Sequence, residues 1–137
     1  MLFTKASEYA LVAMICIAKK SENSIDVDTL ANELGIPKSF LAKILQNLAK
    51  AKLLNSFKGA KGGFTLVKTP DKITLNEIIT GAEKRQTAVF ECSIEGSICP
   101  SGKGDICQIR CIFESLQGKV DSFLNSITLD DIMKSKV

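Results

Sequence analysis

The sequence predicts a mainly α-helical protein with one small β-hairpin: a winged helix-turn-helix followed by a long dimerisation helix. Three observations predict it. Apolar residues recur at helical spacing, with capping residues at the expected offsets, through the first fifty residues. A glycine-rich turn, Gly59-Ala60-Lys61-Gly62-Gly63, then separates two short strand-like runs. Near the end of the chain an apolar stripe runs from Ile109 to Ile127 at helical spacing.

A first helix is expected from Thr4, its N-cap, to about Lys20, with Phe3, Ala6, Tyr9, Ala10, Ala13, Met14 and Ile17 on one face. Leu11, Val12 and Ile15 make its middle apolar all round, and Cys16 falls there as a core residue. Asp26 caps a second helix, Val27 to Leu34, that ends at Gly35, a residue suited to the left-handed position after a helix. Pro37 opens a third helix to about Lys52, with Phe40, Leu41, Ile44, Leu45 and Leu48 inward and Lys43, Gln46, Asn47 and Lys50 outward. Two helices joined by a tight glycine turn, the second with a polar outer face, form the helix-turn-helix pattern. Leu53–Lys58 and Phe64–Lys68 make the hairpin, in the place of a wing. Thr74, with Glu77 three residues on, caps a fourth helix reaching Gly81. From Cys107 the pattern is helical again, and Thr128 to about Lys134 forms a last short helix. A long amphipathic helix beyond a small core implies a homodimer. The expected organisation is a DNA-binding domain over residues 1–81, a cysteine-bearing sensor loop over 82–111, and the dimerisation and C-terminal helices over 112–137.

Charge locates the partner. Residues 1–70 hold ten lysines against five acidic residues, a balance of +5, while the remainder is −2. Between Gly35 and Pro70 there are seven lysines and no acid, which focuses positive potential on one part of a small fold. Double-stranded DNA is the expected partner. Lys38, Ser39, Phe40 and Lys43 are placed to reach base edges, and Lys58 and Lys61 to contact phosphates from the hairpin. The apolar run Tyr9–Ala18 is too short to cross a bilayer, and its flanks do not suit a signal peptide, so a cytoplasmic protein is expected.

Four of the five cysteines, Cys92, Cys99, Cys107 and Cys111, cluster in and after a loop carrying Gly96, Gly102 and Gly104. Glycines let such a loop curl so that thiolates converge, and thiolates suit zinc or an iron–sulfur cluster. The spacing does not choose between metals. Cys107 and Cys111, one helical turn apart and off the apolar stripe, also suit a disulfide switch. With no histidine in the chain a Cys–His nucleophile pair is impossible, so an enzyme is not expected.

Met1-Leu2-Phe3-Thr4-Lys5, Tyr9-Ala10, Ala13-Met14, Leu34-Gly35-Ile36, Leu53-Leu54, Lys58-Gly59, Gly62-Gly63-Phe64, the loop cysteines and Phe123–Leu129 follow one register. In this the chain resembles the winged-helix transcriptional regulator family of IscR, NsrR and CymR, over nearly its whole length. The resemblance implies a dimeric regulator of a palindromic operator, a repressor in type. It also implies a cluster, [4Fe–4S] in preference to [2Fe–2S], ligated by Cys92, Cys99 and Cys107. IscR-type ligation by a histidine three residues after the third cysteine is excluded, since Arg110 stands there. The resemblance offers Glu8 of the partner subunit as fourth ligand, with Cys111 as the alternative. It also equates Lys58 with the family's wing arginine, and Ala42 with an acidic residue that discriminates between operators. A cluster-free regulator using zinc or a thiol switch is the competing reading.

Overall fold

The computed structural model describes residues 3–20, 22–60, 62–94, 98–99, 102 and 107–135. Helix α1, Lys5–Lys19, is capped by Thr4, whose hydroxyl accepts from the amide of Ala6. Helix α2, Val27–Leu34, is capped by Asp26 and stops at Gly35, which adopts φ 65°. Pro37 is extended (ψ 127°) and sits just before α3, Lys38–Lys50, one position earlier than the sequence suggested. A proline ring restricts only its own φ and the residue before it, so this boundary position suits it as well as the first turn does.

Strands β1, Leu54–Phe57, and β2, Gly63–Leu66, pair antiparallel, with Leu54 opposite Leu66 and Phe57 opposite Gly63. Ile25, ahead of α2, adds a bridge on the outer side of β2 through paired backbone bonds with Phe64 of 3.2 and 2.9 Å. Gly63 is obligatory there, because it has φ 147° and a Cβ on it would stand 2.5 Å from the carbonyl oxygen of Ile25. The wing is therefore stitched to the start of the helix-turn-helix.

Helix α4, Leu75–Glu83, begins with a reciprocal cap between Thr74 and Glu77. Helix α5, Arg110–Ser126, and α6, Leu129–Met133, follow, and α6 has the same device in Thr128 and Asp131. Thr74 and Thr128 bridge, so the end of the chain is tied to the start of α4. Met14, Ile17, Leu30, Leu41, Leu45, Leu48, Ile73, Ile78 and Leu129 are almost wholly buried and form one core beneath the wing. Each such side chain contributes about 1.5–3 kcal/mol of burial, so this core fixes α3 against α1 and α4.

Two expectations need correction, those on Cys107 and Cys16. Helix α5 starts at Arg110, so Cys107 lies ahead of it, before the turn at 108–109, and is not stacked under Cys111 within a helix. The stripe on α5 is not among them: it lies outside the core. Ile109, Ile112, Leu116 and Phe123 are exposed, and the residues α5 buries are Leu124 and Gln117. Cys16 is only partly buried, and its thiol donates to the carboxylate of Glu33 at 3.3 Å, because one side of α1 faces α2 and solvent.

Candidate functional site

The outer face of α3 presents Lys38, Ser39, Phe40 and Lys43, all exposed, and Lys58 is exposed where β1 leaves the sheet. Lys61 lies outside the described residues. Two features of this face are not evident from sequence. Lys38 is paired with Asp28 of α2 at 2.7 Å, with both side chains about 60% exposed. Phe40, expected to face inward, is 40% exposed and rests edge-on against Tyr9 of α1, with ring centroids 5.6 Å apart. Tyr9 in turn has the ammonium of Lys5 over its ring at 5.8 Å, and Lys5 pairs with Glu8 at 2.6 Å. The side chain read as a ligand candidate, Glu8, and the aromatic Phe40 on α3 are therefore joined through Lys5 and Tyr9 in three short steps.

Glu8 also lines an apolar groove of about 660 Å³ between α1, α4 and α5, walled by Phe3, Leu11, Ile79, Val120 and Phe123. The groove runs into the exposed stripe of α5 through Phe123. Exposed apolar surface of this extent on a small domain marks an interaction face.

None of the five cysteines is in a disulfide; Cys92 is buried, Cys99 and Cys107 partly buried, and Cys111 exposed. Arg110, in the place of the family's ligating histidine, donates from Nε to Glu114 at 2.7 Å, which raises its pKa first of all. The thiols of Cys92 and Cys99 add to that rise, so both lie within the field of one guanidinium. In kind these donors suit an iron–sulfur cluster, since thiolates are its usual ligands. Among the described residues no three Cys, Asp or Glu side chains come together as a metal site. Spacing along a loop permits closure without dictating it. Among the described residues no helix is long and apolar enough to cross a membrane.

Comparison with known proteins decides the type of molecule. Residues 3–135 match the Rrf2 family of iron-dependent transcriptional regulators. This chain belongs to the Rrf2 family. An HTH-type transcriptional regulator of Aquifex aeolicus is 31% identical over 136 residues, covering 97% of this chain and 92% of that protein. IscR of Pectobacterium carotovorum is 29% identical over 99% of this chain and 81% of its own length. The structure of CymR, the global cysteine regulator of B. subtilis, superposes with a TM-score of 0.74 at 26% identity, covering 97% of this chain and 96% of that one. The winged helix-turn-helix is thus a feature this Rrf2 chain shares with solved relatives. Its relatives are transcriptional regulators, not enzymes.

Proposed function

We propose that this Rrf2 protein is a cytoplasmic, dimeric DNA-binding repressor that responds to redox, nitric oxide or iron–sulfur status. The observation that carries the reading is the pairing of two surfaces on one small chain. One is a lysine-bearing helix and wing. The other is an exposed apolar stripe on α5 that continues into the groove holding Glu8. On this reading two stripes pack against each other, and two copies of α3 meet successive major grooves of a palindromic site. Lys38, Ser39, Phe40 and Lys43 read or flank bases, while Lys58 and Lys61 hold phosphates.

Cys92, Cys99 and Cys107 would hold a cluster, [4Fe–4S] in preference to [2Fe–2S], with Glu8 of the partner subunit or Cys111 as fourth ligand. Such a group supplies reactivity towards oxidants and nitric oxide. Support for Glu8 comes from its seat on the rim of the apolar groove, where a second copy would dock. Support for a regulatory consequence comes from Tyr9, the next residue on α1, which braces Phe40 on the reading helix. The chain divides functionally into residues 1–81 for DNA, 82–111 for sensing and 112–137 for dimerisation.

A second reading has an observation in its favour. Cys111 is a free, exposed thiol at the start of α5, four positions after Cys107, and the chain is structurally similar to CymR. That reading is a cluster-free regulator acting through zinc or a thiol–disulfide change. One experiment separates the two: protein purified without oxygen is assayed for iron, sulfide, zinc and visible absorption, then for operator binding before and after nitric oxide. Iron and sulfide with a broad visible band support the cluster reading. Colourless protein that binds DNA, with zinc or a dependence on thiol reduction, supports the second.

A further inference from the structure

Four polar side chains are buried among the described residues, and three of them, Thr87, Ser93 and Gln117, gather in one place at 7, 4 and 6% exposure. They line a cavity of about 920 Å³ bounded by α4, the segment 86–94 and α5. Neither DNA reading nor thiol chemistry needs polar groups there. Gln117 is fully engaged. Its amide oxygen accepts from the backbone of Val89 at 2.7 Å and from Ser93 at 2.8 Å, and its amide nitrogen donates to the carbonyl of Thr87 and to Asp121. Thr87 is different: its hydroxyl is buried and has no hydrogen-bond partner. A buried polar group in a native fold is ordinarily paired, so an unpaired one on a cavity wall points to a missing partner.

The charged groups give that partner its shape. Arg110 and Asp121 both line the cavity and lie eleven positions apart on α5, about 16 Å along a helix. Arg110 spends its Nε on Glu114, and Asp121 spends one oxygen on Gln117. A guanidinium has five N–H donors and a carboxylate two oxygens, so both keep capacity for a ligand. Between these ends the lining holds one more charge, Glu114, which is already paired with Arg110, and otherwise neutral amides and hydroxyls, Thr80, Gln86 and Thr87 among them, with Ile94 the one large apolar side chain. Such a lining favours a polar ligand over lipids and aromatic drugs, which need mostly apolar walls. It also poorly suits a single amino acid, whose opposite charges are too close together.

We propose that this cavity binds a short peptide with free termini, of about three residues, its carboxylate towards Arg110 and its ammonium towards Asp121. An extended tripeptide spans about 10 Å, and the reach of the arginine side chain covers the remainder. Its backbone N–H and C=O groups meet the neutral polar side chains of the lining, and one of them pairs the hydroxyl of Thr87 that otherwise lacks a partner.

The test is calorimetric titration of the full chain, as purified, with triglycine, trialanine and triserine. N-acetyl-trialanine amide and free alanine serve as comparisons. Saturable binding of at least one free tripeptide below about 1 mM, weakened tenfold or more by blocking the termini and in free alanine, is expected. Thr87→Val should weaken that binding at least tenfold while its melting temperature stays level or rises, and Thr87→Ser should bind as the parent does. Asp121→Asn keeps the acceptor for Gln117 and should weaken the free tripeptide only. No saturable heat from any free tripeptide at 10 mM, equal binding of the blocked peptide, tighter binding of alanine, or unchanged binding by Thr87→Val would each overturn the proposal.

Discussion

Glu83, at the end of α4, accepts a 2.6 Å hydrogen bond from the hydroxyl of Ser7 in the first turn of α1. The same carboxylate oxygen accepts from the amide and the hydroxyl of Thr4, and the Glu83 side chain is only 10% exposed. Burial by itself would push this carboxyl up, but the donors of Ser7 and Thr4 outweigh it and hold the group below its usual 4.5.

A depressed carboxyl stabilises the fold fully above its unfolded value, and that contribution fades as pH falls through 4.5 towards the folded value. Denaturation midpoints measured between pH 6 and pH 3 should therefore drop for the parent protein. Glu83→Gln should be weaker at pH 6, by about 1–3 kcal/mol, and should show a flatter acid limb. Parallel acid limbs in the two proteins would remove Glu83 from this role.

Lys52 closes α3 in a left-handed conformation, φ 63°. Its amide bonds to Ala49 and that of Leu53 to Leu48, the bond pair that ordinarily places glycine at this position. Lys52→Gly should raise stability by about 1 kcal/mol, seen as a melting point about 4 °C higher. A lower melting point would show that the lysine side chain contributes more than its backbone strain costs.

The pair between Lys38 and Asp28 sets up competition between a carboxylate and DNA for the same ammonium. Exposed pairs are worth at most about 1 kcal/mol. Asp28→Asn should accordingly tighten binding roughly threefold to fivefold at low salt and steepen its salt dependence. Lys58→Ala and Lys61→Ala should weaken operator and random DNA alike, whereas Lys38→Ala should also alter sequence preference. Fluorescence anisotropy on both DNAs measures all four, and equal losses on the two DNAs for Lys38→Ala would place that residue on phosphate alone.

The exposed stripe on α5 predicts the fate of the dimer. Leu116 is 43% and Phe123 53% exposed in the single chain, so a charge at either site costs the folded protomer little. Leu116→Glu and Phe123→Glu should shift sedimentation equilibrium to monomer while the melting point moves by less than a core substitution would, which costs about 2–5 kcal/mol. A Leu116→Glu protein that sediments as the parent does would place the interface elsewhere.

What the sequence disclosed and what it hid follow one physical division. Thr4, Asp26, Thr74 and Thr128 cap their helices through bonds spanning two or three residues, and the left-handed Gly35 is equally local. Short-range chemistry of that kind is written in adjacent letters. The start of α5 was not, because Ile109 already has a helical backbone in the preceding turn, and apolar spacing does not separate a turn from a helix. Cys16 looked internal on an apolar run, yet its environment is set by Glu33, seventeen residues away. Asp28 beside Lys38 is likewise a tertiary fact. Convergence of the thiols depends on how a long loop closes, which residue spacing leaves open.

The stitch between Ile25 and Phe64 has a mechanical consequence. It binds the hairpin to the chain entering α2, and Gly63 allows the two backbones to touch. In the dimer proposed above, α3 and wing would then travel as one jaw of a caliper. In a pair of such chains neither jaw can be reshaped cheaply, so the gap between them is the only dimension left to set, and whatever acts at the joint between the chains decides which length of DNA the instrument accepts.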